Sequence, residues 1–291
     1  MRIAYFGGDM FYTCMEFLLQ NGHEIIALFT APPNKGEEYD STQNVRRQAE
    51  ALGIPVIFSK PTEKNIRELQ QKGCDMILSA GYPYKIPKWQ GGCTRYGVNI
   101  HPSLLPEGAG PMSMPLVIIK GLKKTGVTLH KLSPEWDAGD IILQESIPLF
   151  GNENLEGLLC ESQILAPILL QRFLKAPCDL WGKAIPQNRQ DIDYWPMPRL
   201  EAFFTDYSKD LETINRHLRV HRKILLDGNI ELISDISVWE QKHELKAGTV
   251  LLQNNGLHLI ATKDGLVSFK IKSKSSPKYN LVNPIKLAKN F

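Results

Sequence analysis

The chain has 291 residues, of which 43% are hydrophobic and 22% charged, an ordinary composition for a folded globular protein with a sizeable core. No apolar run reaches transmembrane length, and the five scattered cysteines, none in a C-x-x-C pair, argue against a disulfide framework or a structural zinc site. The net charge of +3 is uneven, with 20 basic and 22 acidic residues in 1–205 against 14 and 9 in 206–291. That split suggests a two-part chain, and it fits either an anionic partner for the second part or a solvated lysine-rich surface.

Met1 leads directly into "RIAYF", a short buried strand, with no signal-peptide pattern. Together with free thiols this sets the expectation of a cytoplasmic protein with no membrane partner. "GGD" is the following turn; "FGGDM" is not G-x-G-x-x-G, so no dinucleotide site is expected. Residues 10–20 have helical spacing through Met10, Cys14, Phe17 and Leu18. "HEIIALFT" is a strand, "STQNVRRQAEALG" a helix capped by Ser41 or Thr42, and "IPVIFS" a third strand. "TEKNIRELQQKG" is a helix and "DMILSAG" a fourth strand. This alternation implies βαβ units and a mostly parallel sheet. The pattern then changes. "YGVNIHPS" is a strand entering a loop, and "PMSMPLVIIKG" carries a short helix. "TGVTLHKL" and "GDIILQESIPL" are strands joined by "SPEWDAGD", and a long amphipathic helix covers residues 153–176. A polar, proline-containing connection follows. Beyond residue 206 come one helix, "SKDLETINRHLRV", and five short strands separated by Gly, Asn and Asp turns, which suggests a small barrel.

The densest stretch is "VNIHPSLLPEGAGPMSMP", residues 98–115. Residues i and i+2 of a strand share a face, so Asn99 and His101 project together from a strand end, where open α/β sheets bind ligands. Asp137, in the "EWDAGD" turn, is a third polar group that can approach an imidazole. An Asn N–H can hold a developing oxyanion, a His can move protons near neutral pH, and a carboxylate can orient that His. These three suffice for acyl transfer from an activated donor to an amine. On spacing alone, a hydrogen-bonded strand-end His with turn-forming Asn and Asp is the commoner arrangement. Ser103 lacks a G-x-S-x-G setting and is not expected to be a nucleophile. His130 is read as structural, and His217 and His221, amid arginines, as part of a solvated basic helix. No metal site is expected.

"NIHPSLLP" followed by "WDAGDI" resembles the folate-dependent formyltransferases, which include methionyl-tRNA, glycinamide ribonucleotide and sugar N-formyltransferases. The family motif matches at Asn99, His101, Ser103, Leu104, Leu105 and Pro106, and its second segment at Asp137, Gly139 and Asp140. The resemblance implies a catalytic trio of Asn99, His101 and Asp137 and 10-formyltetrahydrofolate as donor. It implies a Rossmann-like domain over 1–205 and a small barrel-like, OB-like β domain over 206–291. Through "SAGYPYKIP" it implies a donor pocket containing Ser79, Tyr82, Ile86 and Leu104, closed by Gly139 and Asp140. The Asp9–Tyr12 loop, with Met10, Phe11 and Tyr12, is expected to meet the acceptor. Ala109 stands where the tRNA enzymes, and usually the sugar N-formyltransferases too, have Arg, while the rest of "LLPEGAGPMSMP" with "DYWPMPR" looks closer to the sugar N-formyltransferases. The loop "PPNKGEEYD" is short and acidic, where RNA phosphates would be repelled. The expected acceptor is a nucleotide-linked amino sugar, with methionyl-tRNA as the alternative. A nucleic-acid partner is not favoured, and a homodimer is the expected assembly.

Overall fold

A computed structural model describes residues 1–32, 44–197, 205–226 and 229–274. The acidic stretch 33–40, the Ser41 and Thr42 caps, Arg199 of "DYWPMPR" and the lysine-containing tail after 274 lie outside the described residues. The chain divides into two compact units. One comprises Met1–Met114, Lys123–Phe150 and Glu156–Pro196; the other comprises Pro115–Leu122, Gly151–Leu155 and the described residues from Met197 onward.

The first unit is built on β1 (Arg2–Gly7), α1 (Tyr12–Gln20), β2 (Glu24–Phe29), α2 (Asn44–Ala51), β3 (Val56–Ile57), α3 (Glu63–Gln71), β4 (Met76–Ala80) and β5 (Tyr96–His101). It continues with β6 (Glu107–Ala109), α4 (Ser113–Ile119), β7 (Lys124–Lys131), β8 (Ile141–Pro148), α5 (Leu155–Lys175), α6 (Pro177–Gly182) and β9 (Asp193–Tyr194), α4 and α5 each reaching into the second unit. The main sheet has the order β3-β2-β1-β4-β5-β7-β8. Its first five strands are parallel, and β7 and β8 are antiparallel additions. The expected mostly parallel α/β sheet is present.

Both faces of the sheet are covered, as strand alternation requires. Ile3, Tyr5, Met76, Leu78, Val98 and Ile100 pack in one cluster with Phe11, Leu18 and Phe173. Ala4, Phe6, Ile77, Ile66, Tyr82 and Trp89 form the cluster on the other face. Because Val98 and Ile100 are committed to the first cluster, Asn99 and His101 must point to the second face. Residues 9–11 form a 3-10 turn rather than the start of α1. The buried Asp9 carboxylate accepts from the Asn44 and Val45 amides at 2.9 and 3.0 Å, so it caps α2 rather than facing an acceptor.

The second unit holds α7 (Leu211–His221) and the strands β10 (Lys223–Leu226), β11 (Asn229–Glu240), β12 (Val250–Asn254), β13 (Leu257–Ala261) and β14 (Gly265–Lys274). They form an antiparallel sheet of order β10-β11-β14-β13-β12, so a small β module follows the α/β sheet in the chain. Ile214, Leu218, Ile233, Val267 and Phe269 make its core. Helix α7 is not wholly solvated as the sequence suggests. His221 is buried against His217 at 4.6 Å between ring centres, and burial pushes its pKa down to about 4.

Candidate active site

Strands β5 and β7 place the polar cluster. In their antiparallel register Asn99 faces His130 and His101 faces Thr128, so all four side chains share one face of the sheet. Asp137 enters from the β7–β8 loop in a left-handed conformation with φ 51°. Its Oδ1 lies 3.3 Å from Asn99 Nδ2, 3.6 Å from His101 Nδ1 and 3.6 Å from His130 Nε2. Its Oδ2 accepts from the Gly110 amide at 2.8 Å. Burial alone pushes this carboxyl up, since only 10% of the side chain is exposed, but the facing His101 and the Gly110 amide act against it. The net result holds Asp137 well below the usual carboxylate range, as a buried anion.

Each member is held by backbone groups. His101 Nε2 donates to the Gly108 carbonyl at 2.8 Å, which turns Nδ1 toward Asp137. The loop that supplies both Gly108 and Gly110 is pinned from two sides. Thr128 Oγ1 donates to the Ser103 carbonyl and accepts from the Leu105 amide, while Gln144 Nε2 donates to the Leu105 carbonyl. On the other side β6 pairs with β9, and the Trp195 amide donates to the Ala109 carbonyl at 2.7 Å. The Asp137 loop is tied down by Gln187, whose Nε2 donates to the carbonyls of Asp137 and Gly139 at 2.9 and 2.7 Å. Gly139 is required there, because a Cβ would stand 1.8 Å from the Lys131 carbonyl oxygen.

The arrangement is a buried carboxylate flanked by two imidazoles, a carboxamide and a main-chain amide, at the end of a strand beside an irregular loop. Such a set can hold an oxyanion and move a proton, and it contains no activated nucleophile. Ser103 is buried and its hydroxyl donates to the Glu107 carbonyl at 2.8 Å rather than to a base.

The formyl transferase family model matches residues 1–171, more than half of the chain. The chain belongs to the formyl transferase family. Among similar proteins, a methionyl-tRNA formyltransferase of Anaplasma marginale is 36% identical over 166 residues, 54% of this chain and 54% of that protein. One from Alkaliphilus oremlandii is 28% identical over 285 residues, covering 93% of this chain and 91% of its own. Among solved structures, an N-formyltransferase of Helicobacter canadensis in complex with folinic acid and dTDP-3-aminofucose superposes with a TM-score of 0.69 at 17% identity, covering 94% of this chain and 99% of that one.

Within this formyl transferase the structure brings Asn99, His101 and Asp137 together, and it adds two residues that the sequence reading missed. His130 lies against Asn99, and Gln187 fixes the Asp137 loop. Of the residues assigned to a donor pocket, Ser79 is the β4 neighbour of Asn99 in register. Tyr82 follows β4, sits edge-on to Phe6 with ring centres 5.3 Å apart, and is packed with the half-buried Ile86. Leu104 is half-buried beside Gly126 of β7. Asp140 is ion-paired with Lys131 at 2.9 Å. Of the acceptor residues, Met10 lies against Gly81 and Tyr12 is half-buried. Phe11 must be corrected: its side chain is fully buried in the core, with no surface for a substrate.

Proposed function

We propose that this protein transfers a formyl group from 10-formyltetrahydrofolate to the primary amine of a nucleotide-linked amino sugar. The observation that carries the reading is the Asn99–His101–Asp137 cluster, in which one buried carboxylate faces an imidazole and a carboxamide at a strand end. The residues present suit a folate. Among the described residues the Tyr82 hydroxyl is buried without a hydrogen-bond partner, and the half-buried Ile86 packed in the same cluster offers apolar surface to a flat, partly apolar ring system.

The folate would supply an activated formyl group and a nitrogen leaving group. Ser79, Tyr82, Ile86 and Leu104 would hold it, with Gly139 and Asp140 closing over it. The carbonyl oxygen gains negative charge as the acceptor amine attacks; an Asn99 N–H and the protonated His101 stand where they can stabilise it. Asp137 orients His101 and, with it, carries the proton from the attacking amine toward the departing nitrogen. The balance is one N–C bond formed, one broken and one proton passed between the two nitrogens.

For the acceptor, two features favour a sugar nucleotide: the "LLPEGAGPMSMP" loop, which looks like that of the sugar N-formyltransferases, and the acidic "PPNKGEEYD". The dTDP-3-aminofucose bound by the Helicobacter canadensis protein is of the same chemical class. UDP- or dTDP-linked 4-amino-4,6-dideoxyhexoses are the first acceptors to offer, with 3-amino sugars beside them. Methionyl-tRNA is the second reading, favoured by the near full-length match to the Alkaliphilus protein and the basic excess of residues 206–291. Incubation with 10-formyltetrahydrofolate and each acceptor, followed by mass spectrometry, tests the proposal. A formyl gain on a sugar nucleotide supports it, and a gain on the charged tRNA alone overturns it.

A further inference from the structure

We propose that His130 is a positioning residue for Asn99: a neutral imidazole, protonated at Nδ1, whose bare Nε2 fixes the Asn99 amide with its N–H groups facing Asp137. The role given to Asn99 rests on the formyl-transfer reading above; the protonation state of His130 does not.

The assignment follows from three contacts. His130 is buried, and its Nδ1 lies 2.9 Å from the Lys131 carbonyl oxygen, which can only accept. Nδ1 therefore carries a hydrogen. The terminal atom of Asn99 that meets His130 Nε2 at 2.9 Å also lies 3.3 Å from Asp137 Oδ1. An amide oxygen in that place would face an anionic oxygen, so the atom is Nδ2, and it donates to both. His130 Nε2 must then accept, which leaves it without a hydrogen and the ring uncharged. At 3.6 Å from Asp137 Oδ1, Nε2 is beyond hydrogen-bond distance of the carboxylate.

The two imidazoles beside Asp137 thus have different tasks. His101 has Nε2 committed to the Gly108 carbonyl and Nδ1 facing Asp137, so it can gain a proton opposite the anion. His130 cannot gain one at Nε2 without losing its bond to Asn99. A neutral His130 defines which way the carboxamide is flipped. The N–H toward Asp137, in the longer of the two contacts, is the one a developing oxyanion can take over. Register makes this possible, because Asn99 and His130 are directly opposite across β5 and β7.

Long-range 1H–15N NMR of the full chain labelled at histidine, with His130 assigned by the signal lost in His130→Gln, reads the protonation state. We expect an Nδ1–H, Nε2-bare ring at neutral pH. A doubly protonated or Nε2–H ring overturns the proposal. Kinetics read the role. His130→Phe, which keeps a ring but offers no acceptor, should lower kcat by roughly 10- to 100-fold, with KM for donor and acceptor changed by less than about 3-fold. His130→Gln, whose carbonyl can accept from Asn99, should recover part of the loss, and a merely structural role predicts no such rescue. The pH profile of kcat should keep its wild-type shape in His130→Phe, or in His130→Gln if the Phe variant does not fold. Loss of an ionisation from the profile would make His130 a proton carrier, and an unchanged kcat would remove its role; either overturns the assignment. If the wild type formylates no acceptor, the formyl-transfer reading falls, while the spectrum still decides the protonation state.

Discussion

Asp137 is the residue on which the site turns, because it is a buried carboxylate whose charge is held by its neighbours rather than by water. Its pKa is depressed in the folded state. The stability it contributes is therefore present above the ordinary carboxylate range and is lost as pH falls through its folded-state value. In urea unfolding, the stability gap between wild type and Asp137→Asn should be widest near neutral pH and should narrow from about pH 5 downward. Parallel pH dependence in the two proteins would contradict this account of the carboxylate. Ser103 gives the opposite expectation. Its hydroxyl serves the Glu107 carbonyl, so Ser103→Ala should retain turnover and lose only about 1 kcal/mol of stability, one hydrogen bond. A collapse of turnover in steady-state assays would identify it as part of the chemistry after all.

Elements set the geometry in which these residues work. The β6–β9 pair clamps the loop that offers the Gly108 carbonyl to His101 and the Gly110 amide to Asp137. Gly110 has φ 96°, and a Cβ there would lie 2.7 Å from the Tyr194 ring and 2.8 Å from the Trp195 carbonyl oxygen. Gly110→Ala should therefore cost about 1–3 kcal/mol in urea unfolding and should slow turnover, because the amide that binds Asp137 is displaced. Wild-type stability in that variant would show that the clamp is slack. The same elements mark where sequence reading succeeds and where it stops. Alternating β and α signals gave the parallel strands, and the i, i+2 rule placed Asn99 and His101 on one face, because both depend on local periodicity. The strands β6 and β9, three and two residues long, left no periodic trace. His130 was read as structural because its partner is set by the register of β7 on β5, and Gln187 left no signal because its carbonyl acceptors lie about fifty residues away in sequence. Phe11 was placed on a substrate loop because a residue after a strand end is compatible with both a turn and a core; packing beneath Tyr5 decided for the core.

At the scale of the whole molecule, the family match covers residues 1–171 and every residue of the candidate trio. The second unit has its own apolar core around Phe269 and Leu218. The excess of basic residues in 206–291 is the sequence feature that most favours RNA, and the 98–115 loop the one that most opposes it. Binding of charged tRNA, if it occurs, would fall steeply with salt. The chemistry itself is claimed for three side chains of the first unit, whichever amine is the acceptor. The most direct test is single-turnover formyl transfer by His101→Ala and Asp137→Asn, with circular dichroism to establish that each is folded. The account predicts folded proteins with turnover reduced at least about 1,000-fold, the scale expected when proton transfer and oxyanion stabilisation are lost together. A folded variant that keeps a tenth or more of wild-type turnover would contradict it and would place the reaction elsewhere in the chain.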